Sequence, residues 1–277
     1  MFLIEVRVLN VINKTGFPTG GIKESMEKKC FPIRSFLFLM FLSFVSLSLV
    51  STISYADGST IDKVYVPYVQ PLEREVEYRA LIEGNDSEAD SSRIDHSRAK
   101  HKLGYGQSFA ENWFAEFYVI GERSAGESFS VSEYELEAIL QLTEQGEFTL
   151  DWGVLFELER STQDDVWEAN VGLLGVKDFD KISVVGNAFV GREWGSDIES
   201  EFEVAGSLQV RYRLKPEFEP GIEWYSSQDT HAIGPVALGR FSVTPRQKLF
   251  WQLGLIFGIA SNTANKTLQL QIEYEFL

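Results

Sequence analysis

The sequence predicts an all-β chain closing into a single-chain transmembrane antiparallel barrel, an up-and-down meander of about twelve strands. Three observations carry this. Apolar and polar residues alternate with a period of two along long runs, about twelve such runs follow one another separated by turn formers, and no apolar run long enough for a membrane helix occurs after residue 56.

The runs fall at roughly 73–83, 96–108, 113–122, 129–143, 148–160, 166–176, 181–194, 200–214, 217–226, 231–243, 248–260 and 266–276. In SEYELEAILQL, Tyr134, Leu136, Ala138, Leu140 and Leu142 oppose Glu133, Glu135 and Glu137. In FTLDWGVLFELER, Phe148, Leu150, Trp152, Val154, Phe156 and Leu158 share the dry face, opposite Asp151, Glu157 and Glu159. In EFEVAGSLQVRYRL, Phe202, Val204, Leu208, Val210, Tyr212 and Leu214 oppose Glu201, Glu203, Gln209, Arg211 and Arg213. KLFWQLGLIFGIA has Leu249, Trp251, Leu253, Leu255, Phe257 and Ile259 on its dry side. The run 231–243, HAIGPVALGRFSV, has no clear dry face and contains Pro235, so its register and the direction of Arg240 stay open. Linkers such as EQGE, STQDD, KDFD, KP, SSQDT and SNTAN supply the turns. Runs of this length exceed ordinary soluble strands and suit a tilted bilayer crossing. An even number closes the meander and pairs every backbone group, as lipid requires.

Ahead of the runs, Lys28, Lys29 and Arg34 precede an apolar stretch from Phe36 to about Ile53 and then Ser54-Tyr55-Ala56. This reads as a cleavable secretory signal peptide over 26–56, with translation expected to start at Met26 and 1–25 an upstream extension. The 221 residues of 57–277 contain no cysteine and 19 basic against 38 acidic residues. Disulfides are thereby excluded, and nucleic acid is an improbable partner for so acidic a chain. Residues 57–72, DGSTIDKVYVPYVQPL, form a periplasmic lead-in to the barrel (73–277), long enough to enter or cover its mouth.

Tryptophans supply a further sign: Trp113, Trp167, Trp194 and Trp224 fall on dry faces near run ends, as in an interfacial aromatic girdle, with Trp152 and Trp251 further in. The last run, TLQLQIEYEFL, sets Leu268, Leu270, Ile272, Tyr274 and Phe276 on one face against Gln269, Gln271, Glu273 and Glu275. A cleavable leader, twelve alternating strands and this closing strand together resemble Gram-negative outer-membrane β-barrel proteins of porin-like type. The resemblance implies that the closing strand is an assembly signal read by the outer-membrane assembly machinery, and that lipid and lipopolysaccharide surround the chain. Leu277 follows the aromatic on which such chains usually end, and the glycine often found in the closing strand is absent.

With odd strands running outward, Glu133, Glu135, Glu157, Glu159, Glu168, Glu201 and Glu203 would line the extracellular half of the lumen, and Arg211 and Arg213 its periplasmic half with Lys248, Glu273 and Glu275. An acidic entrance concentrates cations, so the leading expectation is a narrow or gated channel for small polar solutes with cation preference. A closed structural or partner-binding barrel is the alternative, because twelve strands lie between a filled and an open interior. A lipid-modifying enzyme is the third reading, resting on His101 beside Leu103 and Tyr105 on an outer face; Ser97, four residues away, stands too far off for direct contact. No metal site or cofactor is expected, since Glu133, Glu135 and Glu137 form an alternating wet face and the histidines are scattered. The chain is expected to be a monomer or weakly oligomeric.

Overall fold

The computed structural model describes residues 61–84, 97–123, 128–196, 198–261 and 263–277. The extension 1–25, the leader 26–56, the first four residues of the lead-in and most of the connection 84–95 lie outside the described residues. Among those described run twelve strands: β1 (Arg74–Gly84), β2 (Ser97–Ala110), β3 (Trp113–Arg123), β4 (Ser130–Gln141), β5 (Asp151–Ser161), β6 (Val166–Phe179), β7 (Ile182–Gly195), β8 (Glu201–Tyr212), β9 (Glu219–Ser226), β10 (His231–Thr244), β11 (Gln247–Gly258) and β12 (Lys266–Phe276).

Each strand pairs antiparallel with its neighbours in sequence, and β1 also pairs with β12, from Arg74↔Phe276 to Gly84↔Lys266, so the sheet is a closed barrel without edges. One end carries the start of β1, the end of β12 and the two-residue connections 111–112, 180–181 and 245–246. It is called the turn end here and the opposite one the loop end. Asp180 takes a left-handed conformation (φ 54°) in one of these tight turns, as a short polar side chain tolerates.

Alternation sets the outer face. Leu268 and Ile272 of β12, Leu253 and Leu255 of β11, Val204 and Leu208 of β8 and Phe156 and Leu158 of β5 are exposed, while Gln269 and Glu275 are buried inside. A continuous apolar exterior with polar groups within is the reverse of a soluble sandwich and suits lipid. All six tryptophans project outward or sit at strand ends. Trp152 is the second residue of β5, because that strand begins at Asp151; Phe148 and Leu150 belong to the preceding turn, not to the strand as the alternation had placed them. Similarly β8 stops at Tyr212, which puts Arg213 and Leu214 in a turn.

The run without a dry face has a simple cause. In β10 Ile233, Pro235 and Phe241 point outward, and the inward residues Ala232, Val236 and Leu238 are apolar and buried as well. They face not water but chain. Residues 61–70 run inside the barrel, and Ile61 and Val64 form one apolar cluster with Val176, Val185, Tyr225, Ala232, Val236, Leu238 and Ile256 of the inner wall. A second cluster joins Tyr65 to Leu155 and Leu174, with Ile139 and Phe189 against it. The hydrophobic core of the molecule therefore lies in the lumen, between wall and threaded segment.

A turn over Gln70–Glu73 connects this segment to β1. Glu73 N donates to Gln70 O at 3.2 Å, Pro71 fixes the first central position, and Leu72 has φ 67° at the second, the arrangement of a type II turn with a non-glycine residue in the left-handed region. The turn is tied down on two sides: Ser108 Oγ of β2 donates to Gln70 O at 2.5 Å, and Lys248 Nζ of β11 to Gln70 Oε1 at 3.2 Å.

Candidate functional site

The internal segment is held by polar contacts with strands around the barrel, and these divide the lumen in two. From the turn upward, Val69 N donates to Gln141 Oε1 (2.7 Å), Tyr68 OH to Asp151 Oδ2 (2.7 Å) and Tyr65 OH to Glu137 Oε1 (2.6 Å). Asn187 of β7 takes both backbone groups of Tyr65: Tyr65 N donates to Oδ1 and Nδ2 donates to Tyr65 O, each at 2.8 Å. The main chain inside the barrel thus has partners where water would otherwise be required. Pro67 lies against Gly153 of β5 so closely that a Cβ there would stand 2.6 Å from Pro67 Cβ. At this point only glycine fits beneath the segment.

Arg79 of β1 is the hub of the charged contacts. Its Nη1 donates to Asp62 Oδ2 (2.9 Å) and Tyr65 OH (3.1 Å), its Nη2 to Tyr118 OH (2.5 Å) and Glu137 Oε1 (3.3 Å), and its Nε to Glu77. The guanidinium thereby uses its planar fork on three carboxylates at once, one of them from the internal segment. Lys102 of β2 bridges Asp62 and Glu135, both at 2.8 Å. Burial would raise the Asp62 pKa, but Arg79 and Lys102 hold it well below the usual carboxylate range. Burial would likewise lower that of Lys63, and Glu77, 2.5 Å away, holds it above the ordinary ammonium value instead. On the opposite wall Glu223 is fully buried and receives Gln209 Nε2 (2.6 Å), Gln252 Nε2 (3.0 Å) and Tyr225 OH (2.7 Å), three donors for one carboxylate.

Toward the loop end the lumen opens into a vestibule of about 390 Å³. Asp62, Lys63 and Tyr65 form its floor, and it reaches Gln163 and Asp164 in the β5–β6 connection. Of the acidic residues expected at an entrance, Glu133, Glu135, Glu157, Glu159, Glu168 and Glu203 line it, whereas Glu201 sits at the start of β8 opposite Glu193 and outside the lining. Arg211 is inside the turn-end half, 3.5 Å from Glu219. Arg213 lies just past the end of β8, and its Nη2 reaches both oxygens of inward-facing Asp178 at 2.8 Å, at the turn-end mouth of the lumen.

Alternation alone missed the cations of this vestibule. Lys100 pairs with Glu133 (2.8 Å), Lys102 with Glu135 and Arg98 with Glu122 (3.0 Å), all from the inward positions of β2. Their parity was readable, since they alternate with His101 and Leu103, but which carboxylates they meet depends on register. Acidic groups still outnumber basic ones eleven to four around the vestibule. Glu135, Glu137 and Glu157 converge there, and each has a donor: Lys102, Tyr65 and Asn170 respectively.

His101 faces outward, where Nδ1 lies 2.7 Å from Tyr78 OH and the ring packs edge-on against Phe129.

No family model matches the chain, and no curated protein matches it. Solved structures do. An outer-membrane channel from Pseudomonas putida F1 superposes with a TM-score of 0.52 at 14% identity, covering 78% of this chain and 99% of that one. The β domain of the Bordetella autotransporter BrkA gives 0.48 at 10% identity (74% and 98%), and the KdgM porin in complex with disordered oligogalacturonate 0.45 at 12% (73% and 98%). The closed meander, the apolar exterior and the superposition on the Pseudomonas channel agree: this chain has the fold of a Gram-negative outer-membrane β-barrel.

Proposed function

We propose that the protein is a gated outer-membrane channel for small polar solutes, closed from the periplasmic side by its own residues 61–72. The turn end faces the periplasm and the loop end faces outward. The observation that carries this reading is the vestibule, which is lined by charged side chains from the loop end inward and stops on Asp62, Lys63 and Tyr65. A barrel serving only as a structural wall has no need of a charged cavity open to one side. The segment is joined to the wall at one hinge and seated by hydrogen bonds and ion pairs, so it can leave without any strand unpairing.

The excess of carboxylates around the vestibule supports cation preference, because a cavity with low-dielectric walls focuses the field of its fixed charges. The similarity to channel structures supports passage as the activity. The test is ion current through single molecules of residues 57–277 in a planar bilayer under a salt gradient. Brief openings with a reversal potential favouring cations are expected, and replacing Glu159 and Glu203 by glutamine should reduce that preference. A folded protein that never conducts, at any voltage or after release of the segment, would refute the channel reading in favour of the structural one.

A further inference from the structure

We propose that Glu75, Glu77 and Glu116, on the inner wall of β1 and β3, form a binding site for a hard divalent cation, Ca²⁺ or Mg²⁺, for which the Lys63 ammonium of the internal segment is a built-in competitor.

The three carboxylates come from different strands because of what separates them. Between β1 and β3 lies β2, whose inward residues at this level are Gly104 and Gly106; Glu77 is paired with Gly104, and Glu75 with Gly106, which in turn pairs with Glu116. With no side chain on the middle strand, groups from both flanks reach over it. One oxygen from each of Glu75, Glu77 and Glu116 lies within 4.8 Å of the others, a spacing that a cation with oxygen ligands at about 2.0–2.6 Å spans.

An acidic cluster alone would say little. Here a separate observation points to a missing ligand. Glu116 is only 3% exposed, and its Oε1 is buried without a hydrogen-bond partner. That oxygen does not stay in the row of its own residue. It reaches over β2 to within 2.5 Å of where a Cβ of Gly104 would stand, at the level of Glu77. It is therefore turned into the cluster rather than away from it, and a buried carboxylate oxygen without a donor is a costly arrangement.

Charge balance gives the same answer. Register sets Glu77 opposite Glu273 and Glu75 opposite Glu275, like charges facing each other across β1 and β12. Lys248 answers Glu275 at 2.6 Å. For Glu75, Glu77, Glu116 and Glu273 the structure shows Lys63, 2.5 Å from Glu77 and 3.8 Å from Glu273, and Arg79, which is shared with Asp62 and Glu137. Carboxylates therefore outnumber the cations that reach them, an excess that a divalent ion would offset. Buried charges are paired or coordinate metals, and the carboxylate set suits a hard cation rather than zinc or copper.

Lys63 makes the site part of a device. It is the cation that the internal segment brings to Glu77, so an ion bound at the three carboxylates repels it and weakens the seating of the segment. Binding itself is independent of whether the lumen conducts.

The experiment is Ca²⁺ titration of the folded full-length mature protein in detergent by calorimetry, repeated with Mg²⁺, for the natural sequence, Glu116→Gln and Lys63→Gln. One Ca²⁺ site that Glu116→Gln abolishes is expected, and Lys63→Gln should tighten it by about tenfold or more, as removal of a unit charge a few ångströms away implies. Mg²⁺ should compete for the same site. If Glu116→Gln does not fold, Lys63→Gln decides, because that residue lies on the internal segment and not in the wall. Equal stoichiometry in the natural protein and Glu116→Gln would place the ions in the outer vestibule and overturn the proposal. So would affinity that Lys63→Gln leaves unchanged, or no binding in either form, which would mean that protons neutralise the cluster.

Discussion

Asn187 holds the main chain of Tyr65 as a neighbouring strand would, accepting from its N–H and donating to its C=O at 2.8 Å each. An amide side chain does both at once, with an acceptor oxygen and a donor nitrogen held side by side. Replacing Asn187 by leucine leaves two buried backbone groups unpaired, which costs the seated segment about 2–4 kcal/mol. Hydrogen exchange at the Tyr65 amide should then accelerate by about thirtyfold to several hundredfold while exchange in the strands stays slow. Asn187→Asp keeps the acceptor and loses the donor, so its effect should be intermediate.

Arg79 unites wall and segment through charge. Arg79→Met leaves Asp62, Glu77 and Glu137 without their shared counter-ion, and breaking such a buried network costs about 3–5 kcal/mol. The midpoint of thermal unfolding in detergent should fall accordingly. Arg79→Lys should recover only part of the loss, since one ammonium cannot reach all five partners.

Gly153 tests the seating by shape rather than charge. A side chain there meets the ring and backbone of Pro67 at 2.6–3.0 Å, and the segment, not the strand, is the part free to move. Gly153→Val should keep the barrel folded, by its β-type circular dichroism, and raise the open probability in bilayers.

Glu73 makes the hinge sensitive to pH. Burial, with the Glu275 carboxylate beside it, raises its pKa from 4.5 to about 7 against the opposing bond from Gln70 N. An acid with a raised pKa in the docked state adds stability that is complete below its ordinary pKa and is lost as pH rises through the raised one. The turn should therefore hold more firmly near pH 5 than near pH 8, with channel opening favoured at the higher value. Glu73→Gln should flatten that dependence.

The outer half of this architecture was legible in the sequence because the lipid-facing positions keep a strict period of two. Leu268, Leu270 and Ile272 can be assigned to a face without knowing any partner. The inside was less legible for a physical reason. A lumen filled with water would be polar throughout, whereas this one holds a peptide, so Leu155, Leu174, Val176 and Val185 interrupt the alternation with inward apolar groups. The lack of a dry face in HAIGPVAL, which looked like an irregular strand, is the imprint of Ile61 and Val64 on β10. Charge partners were hidden for another reason: parity says that Lys102 and Glu135 both point inward, but only the register of β2, β3 and β4 brings them to 2.8 Å. Arg213 lies just past the end of β8, yet its guanidinium still meets the inward-facing Asp178 and Ser183.

The central claim is that residues 61–72 close a lumen that would otherwise conduct. The most direct measurement compares single-channel conductance of residues 57–277 with that of the same barrel lacking residues 57–70, both shown to be folded. The account predicts rare or small openings for the first and large, long-lived current steps for the second. Equal conductance in the two, whether both silent or both open, would contradict it.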